Sequence, residues 1–382
     1  MSDTKARKKK SGKGFAGAMR TVVRLGNIVA VVLLLLSYSA AYVNPSKFWW
    51  LAFLGLGYPV LLLINLGFVV YWAVLRRKFA FISLISILLG WNMLWSHFQF
   101  SGKSDEVYSP HAIRVLTYNV RHLSGSVSET TNGKAGDVAK LVGGRKADVV
   151  VMQEFYSGAA TFESKIAMFL KSTGLTYYTW RNYFPSRSKN RGSFCMVTLS
   201  RFPIVSSSEV DYGNRRVALI TDLLVSGDTI RLINVHLKSN QLNQDELNLV
   251  DFDLQHNSDS ESVKKGSKKI YWKLRKAFID RARDAGEVAR AIKSSRYPVI
   301  VSGDFNDTPA SYTARTILKG LNDAFVEAGS GYGNTYAGNL PPIRIDYLAA
   351  SPEFEIEQYA VIREKHSDHY PVTATFVLLH ER

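Results

Sequence analysis

At 382 residues and a formal charge of +16, the chain is long enough for one large domain beyond an additional apolar segment. Its single cysteine, Cys195, excludes an intramolecular disulfide and a cysteine-ligated metal site. Residues 1–100 carry twelve basic side chains against one acid, Asp3, so +11 of the charge sits there and the high pI is no signature of nucleic-acid binding.

In chain order, residues 1–24 form a basic terminus, with Lys5, Arg7, Lys8, Lys9, Lys10, Lys13, Arg20 and Arg24 preceding the first apolar run. Runs at 25–43, 48–75 and 79–100 are each about long enough to cross a hydrocarbon core of roughly 30 Å, which predicts a membrane anchor of three transmembrane helices over 25–100. A cleaved signal peptide is the competing reading of the first run, and the two further apolar runs that follow at once speak against it. Trp49, Trp50, Tyr71, Trp72, Trp91 and Trp95 suit interface anchors, and Asn65 and Asn92 suit helix-to-helix hydrogen bonds. The basic terminus and Arg76-Arg77-Lys78 are expected on the cytoplasmic side. After three crossings, the 101–110 linker and the 111–382 domain would then lie on the extracytoplasmic side, against the bilayer.

Beyond the linker, apolar runs of strand character end in polar residues: Ile113-Arg-Val-Leu-Thr-Tyr-Asn119, Asp148-Val-Val-Val-Met-Gln-Glu154 and Thr229-Ile-Arg-Leu-Ile-Asn-Val-His236. Residues 161–172 repeat apolar side chains at helical spacing, and 196–199, 218–225 and 230–235 read as strands. The polar stretch 240–269 is expected to be an exposed insertion. It is followed by an amphipathic helix over 271–293, with Arg281 among the basic residues of its wet face. Val299-Ile300-Val301 then runs into Ser302-Gly303-Asp304-Phe305-Asn306-Asp307-Thr308-Pro309, a strand delivering a carboxylate and an amide. Thr308-Pro309 suggests a helix over 309–319. Ile343-Arg344-Ile345-Asp346-Tyr347 and His366-Ser367-Asp368-His369 complete the set, and six polar strand ends far apart in sequence point to one shared cleft.

This ordered set resembles the endonuclease/exonuclease/phosphatase superfamily, which includes deoxyribonuclease I, exonuclease III-like repair nucleases and neutral sphingomyelinases. The resemblance covers roughly residues 111 to 378. It implies an α/β fold, a four-layer α/β/β/α sandwich of two packed mixed sheets. It also implies Mg²⁺, with Mn²⁺ as a substitute, at a metal site of Asn119, Glu154 and Asp368. Catalytic roles would fall to Asp304 and Asn306 at the attacking water, to His369 oriented by Asp346 at the phosphate, and to His236 at a phosphate oxygen or the leaving group. The lysine that repair nucleases carry after Gln-Glu is replaced by Phe155-Tyr156, and the tryptophan signatures of inositol polyphosphate phosphatases are missing. The expected function is a membrane-tethered Mg²⁺-dependent phosphodiesterase, with nucleic acid first and a phospholipid headgroup as alternative. A catalytically silent binding module is the rival from another class, and no protein partner is inferred.

Overall fold

The structure is a computed structural model that describes residues 2–100, 102, 112–123, 132–157, 161–184, 193–240, 260–338 and 341–379, without the side chains of 2–16, 132–134 and 260–265. Most of the expected linker and of the 240–269 insertion lies outside these residues.

The N-terminal region is α1 (Ser2–Ser39), α2 (Pro45–Leu56), α3 (Tyr58–Val74), α4 (Ala80–Leu89) and α5 (Trp91–Trp95). This corrects the expectation of three transmembrane helices. Among the described residues one helix, Gly17–Ser39, is long and apolar enough to cross a membrane by itself. The second run is bent by 52° between α2 and α3, so it passes only as a broken pair, and the third is reduced to the ten residues of α4. The breaks have local causes: Pro59 sits at the start of α3 just past Gly57, and Gly90 ends α4. A hydropathy run counts apolar residues and does not register these interruptions.

Helices α1, α3 and α4 still form a bundle. The Asn27 amide donates to Ser83 Oγ (2.6 Å), the Trp72 indole donates to Asn27 Oδ1 (2.9 Å), and the Asn65 amide donates to the Ala30 carbonyl (3.1 Å). Asn65 thus has the helix-to-helix role expected of it, whereas Asn92 is exposed. Outward from the bundle, Val22, Leu25, Val29, Val32, Val60, Leu63, Val70, Val74, Phe81, Ile85 and Leu89 are exposed.

The remainder is built on two six-stranded sheets. With β1 (Phe98–Gln99), β2 (Ala112–Asn119), β3 (Val149–Ser157), β4 (Tyr177–Asn182), β5 (Ser193–Ser200), β6 (Ile204–Tyr212), β7 (Arg215–Val225), β8 (Asp228–His236), β9 (Val299–Asp304), β10 (Asn322–Asp323), β11 (Gly331–Tyr332), β12 (Asp346–Ala350), β13 (Phe354–Val361) and β14 (Val372–Leu378), the orders are β13-β14-β2-β3-β5-β4 and β10-β12-β9-β8-β7-β6. The pairs β2–β3 and β8–β9 are parallel while their neighbours are antiparallel, so both sheets are mixed.

Strand alternation sorts the layers. Ile113, Val115, Val149 and Val151 from one sheet meet Leu223, Ile230, Leu232, Ile300 and Leu348 from the other in a central core. The alternate residues Leu116, Tyr118, Val150 and Met152 face α6 (Asn132–Gly143) and α7 (Phe162–Thr173). On the opposite outer face, Ile233, Val235, Val299 and Val301 pack against α8 (Ser260–Lys293) and α9 (Tyr312–Ile317), and α10 (Ala324–Ala328) follows β10. The expected order of helix, sheet, sheet, helix is therefore found.

Two local expectations fail. The helix foreseen at 309–319 spans only Tyr312–Ile317, capped by Ser311, whose Oγ accepts from the Ala314 N–H. Thr308 and Pro309 stay in the turn before it, where the Ser311 N–H bonds the Thr308 carbonyl. Arg281, assigned to the wet face of its helix, is buried. It pairs with Asp307 (3.1 Å) and donates to the Lys238 carbonyl, which takes it out of solvent and against the turn that follows β9.

Candidate active site

The inward-facing positions change character along each strand. In β2 the series 113, 115, 117, 119 ends in threonine and asparagine; in β3, 149, 151, 153 ends in glutamine; in β8, 230, 232, 234, 236 ends in asparagine and histidine. Gln153 Nε2 donates to Asn234 Oδ1 (2.7 Å) and Thr117 Oγ1 (3.2 Å), a polar floor between the sheets at the edge of the central core. Above it, Asn119, His236, Asp304, Asp346 and His369, all buried, converge with Glu154.

Register explains the convergence. His236 and Asp304 are partners across parallel β8–β9, and Asp304 and Asp346 across antiparallel β9–β12. The Asp346 and His369 segments were expected as strand ends. Asp346 instead begins β12, and His369 precedes β14, which runs antiparallel to β2. An antiparallel strand beginning at the cleft serves as well as a parallel one finishing there.

Glu154 follows an inward residue and by alternation would point outward. A register shift between Met152 and Phe155, with Glu154 at φ +51°, turns it into the cleft. Asn306 was expected to share a side with Asp304 by extended alternation. It does so through a left-handed backbone instead, at φ +55°. Gly303 has φ +131°, and a Cβ there would stand 2.1 Å from the Val235 carbonyl oxygen, so β9 approaches β8 closely only because this residue is glycine.

Asp304 is the most heavily bonded acid. Its Oδ1 accepts from the Asn306 N–H (2.7 Å), and its Oδ2 accepts from the side-chain amides of Asn306 (2.9 Å) and Asn119 (3.0 Å). Burial pushes its carboxyl up to about 6, with Asp346 adding to the rise against the pull of His369 and His236. His369 Nδ1 donates to Asp346 at 2.9 and 3.1 Å, leaving Nε2 facing Asp304 Oδ2 at 3.8 Å. Burial opposes the charge on this imidazole, but Asp346 and Asp304 outweigh it and raise the ring to about 10. His236 Nε2 lies 3.5 Å from Glu154 Oε1 and 3.9 Å from Asp304 Oδ2. It is buried without a hydrogen-bond partner and points to the same space.

Whether these residues suit a divalent cation can be judged from their donors. Burial alone would raise Glu154, but His236, His369 and Asn119 hold its carboxylate down at about 2, so it is ionised throughout the working range. The second carboxylate, Asp368, is partly exposed and meets Arg121 at 3.0 Å. Charged oxygen donors at the mouth of the cleft are what a hard cation takes. Asn119 differs from the expected ligand: its Oδ1 accepts from the Arg121 N–H (3.1 Å), and its NH₂ is turned to Glu154 and Asp304. Asp304, Asp346 and His369 also lie close enough to share an ion, yet Asp346 and His369 already satisfy each other.

Other residues entered the site without being foreseen. Arg121, His122 and Leu123 all have positive φ, a left-handed turn directly after Asn119 and Val120. The turn brings Arg121 to Asp368 and His122 Nε2 to 3.7 Å from Glu154 Oε2. The His122 ring lies 4.4 Å from Phe194, which lies 5.1 Å from Tyr156, two residues past Glu154. Their adjacency to Asn119 and Glu154 was the only sequence signal. Of the residues next to the motif positions, Arg344 forms a buried pair with Asp323, His366 is exposed, and Tyr118 faces away into the outer core.

The sequence profile of the endonuclease/exonuclease/phosphatase family matches residues 116–369, and that of a domain of unknown function (DUF8431) matches residues 20–97. No curated protein matches. Among solved structures, the chain is similar to a functionally unknown conserved protein from Enterococcus faecalis V583 (TM-score 0.51, 15% identity, covering 70% of this chain and 100% of that one). It is also similar to endonuclease/exonuclease/phosphatase proteins from Bacteroides thetaiotaomicron (0.50, 18%, 71% and 99%) and Bacteroides vulgatus (0.50, 17%, 70% and 99%). At these identities the likeness is one of fold.

Proposed function

Because this chain belongs to the endonuclease/exonuclease/phosphatase family and is therefore a metal-dependent phosphoric ester hydrolase, we propose that it is a membrane-tethered, Mg²⁺-dependent phosphodiesterase acting on nucleic acid. The observation that carries the substrate is the aromatic shelf of His122, Phe194 and Tyr156 beside Glu154, with Arg121 at its edge. Bases stack on such rings while a guanidinium takes a backbone phosphate.

Glu154 and Asp368 would hold the cation, with Asn119 fixing the Glu154 carboxylate. The cation supplies Lewis-acid stabilisation of phosphate charge. The Asp304 carboxylate, held in place by Asn119 and Asn306, accepts a proton from the attacking water. The His369 imidazolium, backed by Asp346, directs Nε2–H at the phosphate oxygen where charge develops. His236, with its unpartnered Nε2, gives a hydrogen bond to the leaving oxygen or a neighbouring phosphate oxygen.

The reading of a tether draws support from the apolar belt exposed along α1, α3 and α4. A second substrate, the phospholipid headgroup, draws support from Tyr42, Phe98, Phe100 and Trp272, exposed aromatics near the junction with the bundle that suit a bilayer interface.

The test is hydrolysis by the purified full chain in neutral detergent with Mg²⁺, on single-stranded DNA, RNA, sphingomyelin and phosphatidylcholine. Nucleic-acid cleavage that weakens steeply with salt is expected. Headgroup release without any DNA or RNA cleavage at low salt would reverse the assignment.

A further inference from the structure

Where the bundle meets the catalytic domain there is a cavity of about 420 Å³ that shares no residue with the candidate active site. One wall is the top of the bundle, with Tyr38 in the last turn of α1, Ala41 and Tyr42 after it, and Leu89, Gly90, Asn92, Met93 and Ser96 around α5. The other is the segment from Pro309 to Arg344 that contains α9, contributing Arg315, Leu318 and Lys319. We propose that this cavity binds the phosphate headgroup of an anionic membrane lipid. The proposal rests on the reading that α1, α3 and α4 lie in a bilayer.

Charge is the first argument. Arg315 and Lys319 are exposed and have no acidic partner among the described residues. The one acid in the wall, Asp323, is taken by Arg344, whose guanidinium donates to both carboxylate oxygens at 2.9 and 2.7 Å and to the Ser96 carbonyl at 3.0 Å. That leaves two cations facing the cavity uncompensated. Arg315 is also held in place, its guanidinium 3.9 Å above the Tyr42 ring, which lowers the entropy lost on binding.

Position is the second. Leu35 in α1 and Leu88 and Leu89 in α4, all exposed, precede the cavity-lining Tyr38 and Gly90 and so lead from the cavity rim back along the bundle. A ligand with an anionic head and an apolar tail meets cations at the rim and hydrocarbon-compatible surface below it. A free phosphate would use only the first. Basic pockets at the ends of membrane helices recognise lipid heads on these grounds, and the volume lies in the range of small-ligand sites.

The experiment titrates the full chain in neutral detergent with phosphatidylglycerol, phosphatidylcholine or inorganic phosphate and counts retained ligands by native mass spectrometry. Phosphatidylglycerol should be retained at about tenfold lower concentration than phosphatidylcholine. The double variant Arg315→Gln, Lys319→Gln should lose that preference, and the charge-conserving Arg315→Lys, Lys319→Arg should keep it. A charge-removed variant of unchanged melting temperature that still prefers phosphatidylglycerol would overturn the site. Inorganic phosphate competing at equal concentration would show a free-anion site and refute the lipid assignment. Alkaline carbonate extraction of native membranes reads the bilayer placement separately: release of the chain would refute the tether whatever the titration gives.

Discussion

The arrangement of Asp304, Asp346 and His369 predicts one catalytic unit. Nδ1 of His369 is committed to Asp346, so removing that carboxylate frees the ring to rotate and lowers its proton affinity without touching substrate. His369→Ala and Asp304→Asn should each lower kcat by about 10²-fold or more. Asp346→Asn should resemble His369→Ala, and the double variant should lose little beyond either single one. Multiplying losses in a folded double variant would show that Asp346 acts elsewhere. The same pair sets a pH dependence. The folded His369 is raised to about 10 from an ordinary value of 6.5, so its contribution to stability is complete below 6.5 and lost as pH rises through 10. Tm should fall between pH 7 and 10, and Asp346→Asn should flatten that fall; an unchanged slope in the variant would remove the pair as its origin. For Glu154, Glu154→Gln should raise the Mg²⁺ concentration needed for half-maximal rate. Full activity of this variant in chelator would end its metal role.

At the scale of elements, the site depends on strands ending or beginning at one edge with side chains in phase, and on three departures from strand geometry that bring in what alternation leaves out. The bulge at Glu154, the left-handed Asn306 and the close approach at Gly303 each sit beside a proposed functional group. Such strain persists where surrounding structure holds it. Gly303→Ala combines an unfavourable φ with a Cβ driven into the Val235 backbone, and should cost about 3 kcal/mol or more. Urea unfolding checks this. A cost near 0.5 kcal/mol, that of an ordinary surface substitution, would mean that the β8–β9 contact relaxes readily. Below the strands, the buried Arg281–Asp307 pair ties α8 to the turn after Asn306. Its helical periodicity placed Arg281 on the wet side because a buried ion pair follows the position of its partner, 26 residues away, and not its own spacing.

For the whole molecule, the apolar helices and the catalytic domain are packed together. Phe53 of α2 stacks on Tyr271 of α8 with ring centroids 5.4 Å apart and meets Phe278 edge-on, while Gly55 lies against the Ala310 backbone, six residues after Asp304. The α2 half of the second apolar run therefore serves as a bracket to the catalytic domain, while α1, α3 and α4 carry the exposed apolar belt. Running antiparallel, α3 returns to Arg76-Arg77-Lys78 at the end of the bundle where Arg24 stacks on Phe79. With that basic end cytoplasmic, protease added to intact spheroplasts should digest the catalytic domain. Protection until lysis would invert the orientation.

Composition alone separated an apolar basic N-terminal region from an α/β remainder, because hydropathy and period-two alternation are local properties carried by each segment. Asn119, Glu154, His236, Asp304, Asp346 and His369 could be singled out for the same reason: each stands where an apolar strand meets a polar segment. Tertiary structure decided what depends on partners distant in the chain. Register set which acids share a proton-bearing histidine, and packing divided the second apolar run between a bracket and a helix of the bundle. Backbone strain turned Glu154, Arg121 and His122 toward one space, a direction set by the energy of the assembled sheets and not by the preferences of those residues.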